Sequence, residues 1–217
     1  MIIGNEIIIQ EKPDWVSWDD IKQCLTKAHS ENRAKGVNMT HYQWPAEKIK
    51  ASLGDRGVML VALDGDILVG TAAFCEKQGN KWYNIGRYAH LGYAGVLPEY
   101  RGYGIYKLLI NRREETAKEF GFSVIVFDTH SRNTRVQEIA KKNGYRYVRF
   151  FRAQSGDHFN VTMAKWLGGK KFSDYHINKC YCLSWLLSRL KYNERGEERS
   201  HITTAIYRRL NNRLKVL

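Results

Sequence analysis

Nine residues, Leu97-Pro98-Glu99-Tyr100-Arg101-Gly102-Tyr103-Gly104-Ile105, carry the chemistry most open to reading. An apolar, strand-like stretch runs into them and an amphipathic, helix-like stretch runs out. Two glycines let a backbone curl tightly and approach a ligand closely, and the N–H groups at a helix start can receive an anion. The spacing therefore predicts a phosphate-binding turn. Two common phosphate loops do not fit it. A dinucleotide fingerprint needs a third small residue beyond Gly104, where Ile105-Tyr106-Lys107 supplies a lysine. A nucleotide-hydrolase loop ends in Gly-Lys-Ser/Thr, and that ending is missing.

Val96-Leu97-Pro98 followed by Arg101-Gly102-Tyr103-Gly104 resembles the acetyl-coenzyme A loop of the GNAT family of N-acetyltransferases, which reads Val-x-Pro and then Arg-Gly-x-Gly. Asn133, with Gly144-Tyr145 closing the helical stretch behind it, is similar to the second signature of that family. The order of elements extends the resemblance over residues 5–166. It implies acetyl-CoA as co-substrate, no metal, and direct attack by an amine of a small molecule or peptide. It also implies that backbone around Val96, Leu97, Arg101, Gly102, Tyr103, Gly104, Ile105 and Tyr106 holds the pantetheine and pyrophosphate. A strand-end N–H near Val96 or Leu97 would face the thioester oxyanion, and Asn133 would help position the coenzyme. The family's general-acid tyrosine stands seven residues after that asparagine, where this chain has Ala140.

A missing acid costs less here than in amide cleavage, because a thiol with a reference pKa of about 8.5 leaves tolerably near neutral pH. His130, Tyr103 and Tyr106 are the candidate proton donors, beside water. The attacking side needs more help. A primary amine with a lysine-like pKa of ~10.4 is mostly protonated at neutral pH and must lose a proton first. The family resemblance places that base on the strand before the loop. By the period of two, Tyr88, His90, Gly92, Ala94 and Val96 are expected to share one face. His90 has the pKa range suited to a base, and Tyr88 could position a water. Met39, His41, Tyr42, Trp44, Trp82 and Tyr83 fall where the resemblance implies an acceptor pocket, and a plain hydrophobic cluster reads equally well there.

The elements that must position these residues read as α+β. Ile7 to Ile9 suggest a strand. Ser17, with Asp20 three residues on, caps a helix with Ile21, Leu25 and Ala28 on one face. Pro45 suits the first turn of a second helix. Asp64-Gly65-Asp66 between two apolar runs signals a hairpin. A long strand over residues 84–96 leads into the loop, a helix follows from Gly104 to Gly121, and Val124 to Phe127 reads as a buried strand. Another helix over residues 133–142 and strands over 145–151 and 159–165 complete the order. The resemblance implies a central, mostly antiparallel twisted sheet flanked by helices.

A chain of 217 residues can bury one sizeable core, and the division expected is a domain over residues 1–166 with a basic helical extension over 167–217. Leu183, Leu186, Leu187 and Leu190 form one helical stripe in that extension, and Ile202, Ile206, Leu210, Leu214 and Leu217 a second. They are expected to pack on the domain or on another subunit, as in a homodimer. The formal charge of +13 exceeds what a coenzyme site needs. A solvated face, nucleic acid, an anionic membrane or an acidic sugar all suit it. A non-catalytic acyl-CoA-binding module that engages nucleic acid or a protein through the tail is thus the alternative to an enzyme. Cys24, Cys75, Cys180 and Cys182 lack the usual zinc spacing and read as reduced thiols. With no secretory pattern at the start and no membrane-length apolar run, a cytoplasmic location is expected.

Overall fold

The computed structural model describes residues 6–34, 36, 44–79, 86–153, 158–168, 174–192 and 198. In chain order the elements are β1 (Ile7–Glu11), α1 (Trp18–Ala28), α2 (Ser30–Ala34), α3 (Ala46–Leu53), β2 (Val58–Asp64), β3 (Ile67–Lys77) and β4 (Tyr88–Val96). A 3-10 turn (Pro98–Tyr100) leads to α4 (Ile105–Glu119), β5 (Val124–His130), α5 (Thr134–Lys142), β6 (Arg146–Arg152), β7 (Phe159–Trp166) and α6 (Asp174–Lys191). The strands form one seven-stranded, mostly antiparallel sheet in the order β1-β2-β3-β4-β5-β7-β6. β4 and β5 run parallel, pairing Ala89 with Ile125 and His90 with Val126. The chain divides into two compact units, Met1–Val126 with Trp166–Gly169, and Phe127–Lys165 with Lys170–Leu217.

Local rules account for much of the first unit. The backbone N–H of Ser17 donates to the Asp20 carboxylate at 2.9 Å, and the Asp20 N–H donates to the Ser17 hydroxyl at 3.1 Å. This capping box satisfies two orphan donors of α1. The bonds from Ser17 hold the Asp20 carboxyl below its usual pKa. Ile21, Cys24, Leu25 and Ala28 are the buried stripe of α1, and with Ile49 and Leu53 of α3 they cover one face of β2 and β3. Pro45 stands at the N-cap of α3, one position ahead of the first turn where the sequence suggested it. The β2–β3 hairpin closes at Asp64 and Ile67 around Gly65-Asp66. The other face carries α4: Leu109 approaches Gly70, and Phe120 and Phe122 meet Phe74 edge-on at 5.7 and 5.8 Å.

The expected face of β4 is corrected. Gly92 lies opposite Ala73 and Gly95 opposite Thr71, so Tyr93 and Ala94 form a bulge against Ala72. Tyr93 adopts φ +50°, the one described residue other than glycine with positive φ. An inserted residue reverses the side-chain alternation. Tyr88, His90 and Gly92 therefore share their face with Gly95, while Val96 turns to the α4 side. A Cβ on Gly95 would lie 2.8 Å from the Ala28 Cβ, so only glycine lets α1 settle this close to β4.

In the second unit β6 is the edge of the sheet and pairs with β7 from Arg146↔Ala164 to Arg152↔Phe159. α6 packs along β6. Of the leucine stripe expected in α6, Leu187 is buried, Leu183 and Leu190 are half-buried and Leu186 is exposed, while Ile177 and Ser184 complete the buried face. Ser184 explains the difference. The Phe150 N–H donates to the Ser184 hydroxyl at 2.8 Å, and the Ser188 hydroxyl donates to the Phe150 carbonyl at 3.2 Å. Two serines thus satisfy backbone groups of an open strand edge, which would otherwise be a template for aggregation. Tyr181 stacks on Tyr147 at 5.1 Å beside them. Met39, His41, Tyr42, Trp82, Tyr83 and the stripe from Ile202 to Leu217 lie outside the described residues. No described helix is long and apolar enough to cross a membrane.

Candidate active site

Where β4 ends, several backbone groups are already engaged. The Leu97 N–H donates to the Val69 carbonyl at 2.9 Å, and the Leu97 and Pro98 carbonyls accept from Tyr100 and Arg101 at 3.0 and 3.2 Å. The N–H of Leu97 is therefore taken by β3 and cannot face an oxyanion, which corrects one of the two donors expected here. Alternation along an antiparallel ladder then points the Val96 N–H to the opposite edge of β4. That edge pairs with β5 at Ala89 and His90, earlier in the strand.

The turn behind is held from below. Tyr100 is buried, and its hydroxyl donates to Asp64 at 3.2 Å. Gly102 and Gly104 then take φ +91° and +80°, and a Cβ on either would meet no protein atom within 4 Å. Glycine is required by the left-handed backbone, and the space before it is open. The ladder of α4 begins at the Gly104 carbonyl, which accepts from Lys107 at 2.9 Å and Leu108 at 3.1 Å. The amides ahead of Lys107 are the orphan donors of a 15-residue helix, with its positive dipole end behind them. Ile105 is buried and anchors that start. Tyr103 is exposed. Tyr106 is half-buried, and burial of its phenol raises its pKa while the Arg113 guanidinium pulls the other way.

Arg101 has an occupation that its place in the loop did not suggest. Its guanidinium donates to the Ala28 carbonyl at 2.7 Å, to Glu31 at 2.8 Å and to the Val96 carbonyl at 3.4 Å. It joins the turn to the corner between α1 and α2. Arg113, which flanks the loop in sequence, is buried on α4 and reaches the Gly92 carbonyl at 3.5 Å.

His90 and Tyr88 lie on the α1 face of β4, half-buried, with their rings edge to face at 6.4 Å. Cys75 stands opposite His90 in the register. The bulge beyond them is braced by side chains that sequence reasoning missed. His29 donates from Nε2 to the Ala94 carbonyl at 2.9 Å, and its Nδ1 accepts from Asn32 at 3.3 Å. The Thr71 hydroxyl donates to the Tyr93 carbonyl at 2.8 Å, and Ser52 shares a 2.6 Å hydrogen bond with the Tyr93 hydroxyl. Gly92 and Gly95 within a strand were the signal for such an irregularity. Burial pushes the Cys24 thiol up to about 12.

His130 and Asn133 belong to the second unit. His130 is buried and stacks on His158 at 4.5 Å. Its Nδ1 accepts the Arg132 N–H at 3.0 Å, so the neutral ring carries its proton on Nε2. Its carbonyl accepts from the Asn133 N–H and from Gln137 at 2.9 and 3.1 Å. These contacts build His130 into the turn before α5. Asn133 occupies the N-cap of α5 without capping it, and its amide donates to the Thr129 hydroxyl at 3.2 Å. Ala140 is buried on the same helix.

The first unit thus holds a bulged strand that delivers a glycine turn to a helix start. The sequence model of the acetyltransferase (GNAT) family matches residues 18–145, and the chain belongs to that family. Solved structures share the fold. Aminoglycoside 6'-acetyltransferase type Ii is 21% identical, with 76% of this chain and 99% of that one covered and a TM-score of 0.58. A putative acetyltransferase of Salmonella typhimurium, solved with its cofactor acetyl-CoA, is 14% identical over 78% and 99%, with a TM-score of 0.58. The ribosomal-protein-S18-alanine N-acetyltransferase of Escherichia coli is 13% identical over 77% and 99%, with a TM-score of 0.55. A comparison with curated protein sequences finds no match.

Proposed function

We propose that this protein is an N-acetyltransferase that moves acetyl from acetyl-CoA to a primary amine by direct attack, with no covalent enzyme intermediate. The observation that carries the reading is the turn at Gly102 and Gly104, left-handed at φ +91° and +80° and open in front. Its amides, with the dipole of α4 behind them, are disposed to take the pyrophosphate. Val96 is the remaining strand-end donor for the thioester oxygen, where negative charge develops as the amine attacks. His90 receives the amine proton, directly or through a water held by Tyr88. Asn133 contributes to the coenzyme side. With alanine at position 140 the thiolate leaves unassisted by the family's tyrosine, taking its proton from water or from a phenol such as Tyr103.

The acceptor is tested by incubating the protein with acetyl-CoA and amino sugars, amino acids, polyamines or peptides while following free thiol. Turnover dependent on one amine class is expected. Coenzyme A binding without transfer to any amine would support the alternative, a non-catalytic acyl-CoA-binding module that engages nucleic acid or a protein partner through the basic C-terminal region, a reading that alanine at position 140 leaves open.

A further inference from the structure

Charge is distributed unequally between the two units. The second unit holds 19 lysines and arginines against seven acids, a net +12 of the chain's +13. Half of it lies from Arg132 to Arg152, the stretch that forms α5 and β6, where seven cations accompany the single carboxylate of Glu138. Arg132, Arg135 and Lys142 are exposed and have no carboxylate partner among the described residues. Tyr147 links the two elements by donating to Gln137 at 2.8 Å, and the Lys141 ammonium lies over the Tyr147 ring at 4.7 Å. On β6 the guanidinium of Arg149 lies over the half-buried Phe151 at 4.7 Å.

We propose that α5 and β6 form a nucleic-acid-binding surface, which takes the sugar-phosphate backbone on its cations and a base on the Arg149–Phe151 pair. The inference is independent of the acetyl-transfer reading. A nine-residue helix reaches ~13 Å and a seven-residue strand ~23 Å. Cations spread over that reach match a chain of phosphates better than the clustered phosphates of one coenzyme. Guanidinium and ring planes at one place also suit base stacking. A lipid surface fits less well, because the exposed positions of α5 (Thr134, Arg135, Glu138, Lys141 and Lys142) include no large apolar residue to insert.

The test uses the full chain and fluorescence anisotropy with labelled single-stranded RNA, single-stranded DNA and duplex DNA, beside vesicles of phosphatidylcholine with phosphatidylglycerol. With about five phosphates engaged, raising salt from about 50 to about 200 mM should weaken single-strand binding roughly 10²-fold. Arg135→Glu with Lys142→Glu should weaken it at least ~10-fold at fixed salt, with coenzyme A affinity by calorimetry unchanged. The pair Arg135→Gln with Lys142→Gln keeps helix propensity and should weaken binding by a smaller factor should charge reversal disturb folding. Three results would overturn the proposal: no binding to any nucleic acid, binding indifferent to salt or to both variant pairs, and preference for the vesicles.

Discussion

Replacing Gly104 by alanine separates what the turn needs from what its ligand needs. The residue sits at φ +80°, ψ 0° at the N-cap of α4, and an added Cβ meets nothing within 4 Å. The protein therefore suffers no clash, only a left-handed alanine, worth ~1–2 kcal/mol. A stiffer unfolded chain returns ~0.4–1 kcal/mol, leaving a net loss near ~1 kcal/mol. Gly104→Ala should fold, with a slightly lower denaturant midpoint. Coenzyme A binding should suffer more. A methyl group in the open space keeps a phosphate off the helix-start amides, and losing one charge-assisted hydrogen bond is worth ~1.5–3 kcal/mol, roughly 10- to 10²-fold in Kd. Calorimetry beside a urea titration reads both quantities. A Kd within about twofold of the parent, at a stability loss of the expected size, would refute the placement of phosphate at this turn.

Several other perturbations discriminate further. His90→Ala should lower kcat by ~10²-fold or more and leave coenzyme A affinity intact, whereas equal losses in both would make it a packing residue. Arg101→Ala removes the bonds to Ala28, Glu31 and Val96 and should lower stability by ~1 kcal/mol, with a milder effect on coenzyme binding than Gly104→Ala, both read from the same titrations. Ser184→Ala leaves the Phe150 N–H buried without its acceptor and should cost ~1–3 kcal/mol, with concentration-dependent aggregation in light scattering as the second readout. Asp20 has a lowered pKa in the fold, so its contribution to α1 is full at neutral pH and fades as pH falls through that lowered value. Ser17→Ala should flatten that part of the stability-versus-pH curve in acid denaturation.

Features governed by neighbours in sequence were legible without coordinates. The capping box of Ser17 and Asp20, the hairpin at Gly65-Asp66 and the glycine turn into α4 each follow from bonds closed within a few residues. Family membership was legible for the same reason, since the loop must keep its glycines where the backbone turns left-handed. Features set by partners distant in the chain were not. The bulge at Tyr93 depends on Ala72 across the sheet and on Thr71, Ser52 and His29 around it, and no period-two count along β4 contains those contacts. An arginine in a phosphate-like loop reads as a ligand for anions until Ala28 and Glu31, about 70 positions earlier, take its guanidinium. The leucines of α6 look like its buried stripe, yet the helix turns Ser184 inward because an open strand edge asks for hydrogen bonds before it asks for apolar area. Composition and local spacing determined which elements form and which chemistry they suit. Only the packing of distant segments decided which side chains remain available to perform it, because each donor, acceptor and face is claimed by whatever the fold brings against it.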